Sequence, residues 1–226
     1  MNERMPISRI GGVALDRSVS ETERKLRIEL AAAFRIAHHL GWNIDTLNHI
    51  TLRIPDTDLF LMNPLGLGWD EITASALATV DYDGHVLSHS GIRLASAGFN
   101  FHSGILKARP DINCVIHTHQ DAGVVVGAIH DGLMIFGQGG CRLCDEVGYH
   151  AFEGLANQED EVPRILHDLG HKHTLIMRRS FPKTCRITPK PRWVSAIAAM
   201  RRARITVGNI SSGWPSGSIR RLQHDT

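Results

Sequence analysis

His117 and His119 are the residues of this chain most readily read as chemistry, standing on either side of Thr118 after the apolar run Cys114-Val115-Ile116. In a β-strand, residues two apart project from the same face, so the two imidazoles can converge on one point. Two neutral imidazoles so placed make half of a typical site for zinc or another divalent metal. The other half has to come from elsewhere in the chain. Cys141-Arg142-Leu143-Cys144 is a second pair with ligand chemistry. A structural zinc needs two further close ligands, and a thioredoxin-type dithiol needs its first cysteine at a helix N-terminus. Neither pattern surrounds this pair, and both residues are read as loop cysteines. His171 and His173 are read as solvated side chains of a polar turn.

The elements that must position the histidines follow from hydrophobic periodicity. The strand carrying them is expected over residues 113–117, with a helix over 121–129 after it and another over 97–108 before it, broken ahead of Pro110. Upstream, Ser20 and Glu23 form a capping box. The helix it opens buries Leu26, Leu30, Ala33, Phe34 and Ala37 on one face and stops at Gly41. Residues 50–54 and 59–62 are expected to pair as strands, and Asp83-Gly84 marks a hairpin between residues 78–81 and 86–87. Residues 73–77 read as a short helical turn, 162–169 as a helix, 174–177 as a strand and 193–205 as a last helix. Residues 1–19 are expected to be a flexible lead, 20–207 the folded domain, and 208–226, rich in Gly, Ser and Arg, a disordered tail.

A chain of 226 residues with 42% hydrophobic and 21% charged residues is long enough to bury the core of one globular domain. No run approaches the roughly 18 apolar residues that span a bilayer, and Met1-Asn2-Glu3-Arg4-Met5-Pro6 lacks the apolar core of a signal peptide. With four cysteines, too few for a disulfide scaffold, the expected location is a reducing cytoplasm. The net charge of +2 hides an asymmetry. Residues 1–168 hold 13 Lys/Arg against 22 Asp/Glu, whereas residues 169–226 hold 12 basic residues against Asp225 alone. A basic end can meet nucleic acid, but no binding motif accompanies it, and a nucleic-acid partner is not expected.

Four fragments in order carry a resemblance: Asn63-Pro64-Leu65-Gly66, then Asp70-Glu71-Ile72-Thr73-Ala74-Ser75, then Phe101-His102 with Arg109-Pro110-Asp111, and finally His117-Thr118-His119. The succession resembles the class II aldolase/adducin family over about residues 20–177. The resemblance implies an α/β fold of three layers, a central mixed sheet flanked by helices, usually in a homotetramer. Its enzymes hold zinc or another divalent metal through three histidines and cleave or epimerise sugar phosphates. Its adducin branch keeps the fold and serves the actin–spectrin cytoskeleton.

Carried onto this chain, the resemblance makes His117 and His119 two of the metal ligands and Gly66 and Ser96 parts of a substrate-binding site. The third ligand position is Ser180, a poor replacement for imidazole, and the aldolases' catalytic glutamate position is Gly98. His49 stands where those aldolases carry asparagine. Residues 148–154 resemble a family segment of packing and turn, in which Tyr149 or His150 can face a site in a neighbouring subunit. Past Arg178 the resemblance returns only in pieces. The expectation is therefore a metal-dependent aldolase or lyase for a small carbonyl or sugar-type substrate, with an incomplete active site. The alternatives are an adducin-like scaffold with an actin-type partner and a degenerate, inactive paralogue.

Overall fold

The computed structural model describes residues 18–88, 91–151, 153 and 159–178, together with the backbone of residues 196–201. Among the described residues, seven strands form one sheet: β1 (His49–Arg53), β2 (Leu59–Met62), β3 (Ala78–Asp81), β4 (Ile112–Thr118), β5 (Val147–Ala151), β6 (Thr174–Arg178) and β7 (Ala196–Arg201). Their spatial order is β3-β2-β1-β4-β7-β6-β5. Neighbours run antiparallel except β5 and β6, which are parallel, so the sheet is mixed. The helices are α1 (Glu21–His39), α2 (Ser96–Ala108), α3 (Asp121–Ala128), α4 (Gln138–Leu143) and α5 (Val162–Leu169).

The pleat sorts side chains into two cores. Phe60, Met62, Val80, Val115, Leu175 and Met177 point to one face and pack with Phe101, Ile105 and Leu106 of α2 and Ile165 and Leu169 of α5. Ile50, Leu52, Leu61, Cys114 and Ile116 point to the other face and pack with Leu30, Phe34 and Ala37 of α1 and with Trp69 and Ile72. Helix on sheet on helix is the expected three-layer arrangement. One consequence governs the site: His117 follows Val115 by two residues, so it faces α2.

Helix α1 begins where its chemistry predicts. Ser20 caps it, accepting the Glu23 N–H at 3.1 Å. It ends at Gly41, whose positive φ of 69° lets the Gly41 and Trp42 amides return to His38 and Ala37. Its buried face holds a surprise. Arg27, in register with Leu30 and Phe34, is buried, and its guanidinium donates to Glu23, Thr79 and the carbonyls of Ala74 and Leu77 at 2.6–3.1 Å. Glu23 also accepts the Thr79 hydroxyl at 2.7 Å. An ion pair thus ties α1 to the edge of the sheet at β3.

Three expectations need correction. Residues 196–201 form strand β7, not part of a helix over 193–205. Ala196-Ile197-Ala198-Ala199-Met200 has no period that separates helix from strand. In the sheet, this segment lies between β4 and β6 and pairs its backbone with both. Residues 147–151 form β5 where packing and turn were expected. Gly148 obscures the strand signal, and a Cβ there would lie 2.5 Å from the Asp168 carbonyl, so the close approach of α5 requires glycine. The hairpin at Gly84 forms, but residues 86–87 contribute only an isolated bridge from Val86 to Val80. Of the lead expected over residues 1–19, residues 1–17 lie outside the described residues, as does the tail expected over 208–226.

Candidate functional site

The Nε2 atoms of His117 and His119 lie 3.0 Å apart. Strand β4 delivers His117 facing α2, and the chain beyond Thr118 carries His119 back towards it, with the rings at right angles. At 3.0 Å the two nitrogens either share a hydrogen bond, one ring carrying the proton, or present two lone pairs to one cation.

Two more imidazoles join them. His49, the first residue of β1, is the direct partner of His117 across the antiparallel ladder. Their rings stack with centroids 5.3 Å apart and an interplanar angle of 18°. The preceding residue holds this strand end in place. The Asn48 carbonyl accepts from Asn63 Nδ2 at 3.3 Å and from Trp69 Nε1 at 3.2 Å, and its side chain accepts the Ile44 N–H at 2.6 Å. His102, fully buried on α2, sits edge-on to His49 at 5.6 Å. Its Nδ1 meets the Thr51 hydroxyl at 2.9 Å.

Burial is the first cause of the electrostatics here. It pushes the His49 imidazole down from 6.5 to about 4, with nearby His119 adding to the effect. His102 and His117 are driven well below the ordinary histidine range by burial first and neighbouring imidazoles second. Burial also lowers His119. All four rings are therefore neutral at neutral pH, the form that ligates a metal. His49 Nδ1, His102 Nε2 and His117 Nδ1 are buried without a hydrogen-bond partner among the described residues. Such orphaned nitrogens are costly unless a ligand or water meets them.

The converging nitrogens fit one edge of a divalent-metal site. Among the described residues, no third His, Cys, Asp or Glu donor lies within ligand reach of the pair. His171 and His173 do not serve, for neither joins the pair in a three-donor group among the described residues. Ser180 lies outside the described residues. A separate group, Asp81, Asp83 and His85, does bring three donors together. It is the exposed hairpin turn, where Asp81 accepts the backbone N–H groups of Asp83 and His85 and meets the His85 ring at 2.9 Å.

Other candidate residues are placed as follows. Gly66, with a φ of 97°, turns the chain after β2, and Ser96 opens α2. Their segments are tied by the Leu65 N–H, which donates to the Arg93 carbonyl at 2.8 Å. Gly98 lies in the first turn of α2 against His49. Tyr149 and His150 are occupied within the protomer. The Tyr149 hydroxyl accepts the Leu133 N–H at 2.8 Å, and His150 is buried between Asp168 at 2.7 Å and Glu161 at 3.4 Å. Cys141 and Cys144 are exposed free thiols on and just after α4, rather than in a loop. Cys114 is buried, which pushes its thiol up to about 12 and leaves it a packing residue. Sequence reasoning did not group His49 and His102 with the pair. The polar alternation His49, Thr51, Arg53 in β1 was a usable signal for one face, but the register with β4 was not.

The family model described as Class II Aldolase and Adducin N-terminal domain matches residues 28–180. An aldolase class 2 family protein of Pseudomonas aeruginosa is 38% identical over 167 residues, covering 74% of this chain and 64% of that protein. Alpha-adducin of Rattus norvegicus is 37% identical over 161 residues, 70% of this chain but only 22% of the adducin. The chain thus spans under two thirds of both proteins. An aldolase II superfamily protein of Pseudomonas syringae superposes with a TM-score of 0.71 at 36% identity, covering 80% of this chain and 68% of that one. L-fuculose 1-phosphate aldolase of Glaciozyma antarctica shares the fold, with a TM-score of 0.64 at 24% identity over 86% of this chain and 71% of its own.

Proposed function

The chain belongs to the class II aldolase and adducin family, and from that premise we propose that it holds a divalent metal, zinc in the first instance, and acts as an aldolase or lyase on a small carbonyl or sugar-type substrate. The observation that carries this reading is the 3.0 Å convergence of His117 Nε2 and His119 Nε2. A metal bound there polarises a carbonyl oxygen and stabilises the negative charge that develops when a carbon–carbon bond breaks. His117 and His119 hold the ion. Phe101, His102 and His49 pack around His117 and bury that edge of the site. Ser180 is assigned the third protein position, where a hydroxyl binds weakly, so affinity is modest. Gly66 and Ser96 are assigned to the substrate, whose anionic group meets the backbone amides there. A homo-oligomer, a tetramer by family expectation, and a cytoplasmic location belong to the same proposal; no described helix is long and apolar enough to cross a membrane.

Metal content after purification under metal-replete conditions tests the reading. Near-stoichiometric zinc that is lost in His117→Ala and His119→Ala supports it, and metal-free wild-type protein overturns it. A second reading, an adducin-like scaffold with an actin-type partner, has one observation in its favour. Gly98 leaves the first turn of α2 without a carboxylate to handle protons beside the histidines. Actin co-sedimentation by metal-free protein would select it, and absence of both activities would mark an inactive paralogue.

A further inference from the structure

The bare Cα of Gly98 is shaped to the His49 ring. A Cβ built on Gly98 would lie 2.7 Å from each of the His49 atoms Cδ2, Cγ and Nδ1. Three near-equal distances to ring atoms place it over the face of the imidazole, well inside the roughly 3.5 Å of ordinary carbon contact. The ring has little room to retreat. It stacks on His117 at 5.3 Å and meets His102 at 5.6 Å and Phe101 at 6.3 Å, while its backbone is registered directly against that of His117. His117 in turn touches His119 at 3.0 Å. A push at position 98 therefore passes through one ring to a metal-holding ring.

We infer that Gly98 and His49 are positioning residues for the metal centre: the missing side chain at 98 seats the His49 ring, and that ring orients His117 towards the shared ion. This rests on the metal reading above. It also accounts for a glycine in the first turn of a helix, where alanine is the better former. Outer contacts that orient a ligating histidine typically change metal affinity by about 10–100-fold when removed. The same α2 helix supplies a control. Gly104 packs on Val162 of α5, with a virtual Cβ 2.3 Å from Val162 Cγ1, and none of its nearest neighbours is an imidazole.

The test is zinc calorimetry and the cobalt(II) absorption spectrum of the full chain in wild type, Gly98→Ala, Gly104→Ala, His49→Ala and Gly98→Ala/His49→Ala. Gly98→Ala should weaken zinc about 10–100-fold and alter the cobalt spectrum, with Gly104→Ala close to wild type. In the His49→Ala background, adding Gly98→Ala should change nothing further, the signature of coupling through the ring. Wild-type affinity in Gly98→Ala overturns the inference, as does equal weakening by Gly104→Ala, which would mean general movement of α2. If Gly98→Ala fails to fold, recovery of folding in the double variant supports the stack, and failure of both overturns it. If wild type binds no zinc, the metal reading fails by itself. The stack is then read from imidazole NMR signals of metal-free protein: Gly98→Ala must shift those of His49 and His117 while Gly104→Ala leaves them, and unshifted signals overturn it.

Discussion

Acidification of metal-free protein should destabilise it through His49, and replacing that residue should remove much of the effect. Burial, with help from neighbouring His119, lowers the folded-state imidazole from 6.5 to about 4. The unfolded chain takes up the proton near the ordinary value of about 6.5, so between these limits the unfolded state binds more protons than the folded one. Stability from this residue is complete above about pH 6.5 and is lost as pH falls towards about 4. The fall in proton affinity corresponds to about 3 kcal/mol. In a domain of this size, that is about 6–12 °C in melting temperature. The groups facing His49 are His102 from α2, His117 from β4 and His119 just beyond it. All are lowered in the same direction, so each destabilises on acidification, but as coupled neighbours they do not sum independently. Urea unfolding of chelator-treated wild type and His49→Gln between pH 7.5 and 4.5 separates them. The wild type should lose about 2 kcal/mol more than the variant over that range. Parallel profiles, or a wild type that gains stability on acidification, would refute the assignment of a buried neutral His49.

Three other outcomes are expected. Arg27→Ala strands the buried Glu23 carboxylate and should cost about 3–5 kcal/mol in urea unfolding; a loss below about 1 kcal/mol, typical of exposed pairs, would contradict the network. Ser180→His should tighten zinc at least about tenfold, or 1.4 kcal/mol, in calorimetry; an unchanged affinity would end the assignment of position 180 as the third ligand. Light scattering should give four times the 25.0 kDa chain mass, and a clean monomer at micromolar concentration would remove the tetramer from the proposal.

What the sequence determined by itself was local and periodic. Ser20 and Gly41 mark the ends of α1 because caps act within a turn of the helix. The two-residue spacing of His117 and His119 marks a pair that one strand end can bring together, although His119 itself lies just beyond β4. Ordered motifs also sufficed for the family and its three layers. The tertiary structure decided whatever depends on which distant segments meet. His49 and His117 are neighbours only through the register of β1 on β4, and no property of either segment alone specifies that register. Arg27 looks like a surface residue until Glu23, Thr79 and two carbonyls surround it. Residues 196–201 could serve a helix or a strand, and the unpaired backbone between β4 and β6 made the choice. Gly98 appears in the sequence as a missing glutamate. In the fold, it is the space that a histidine ring from another strand requires.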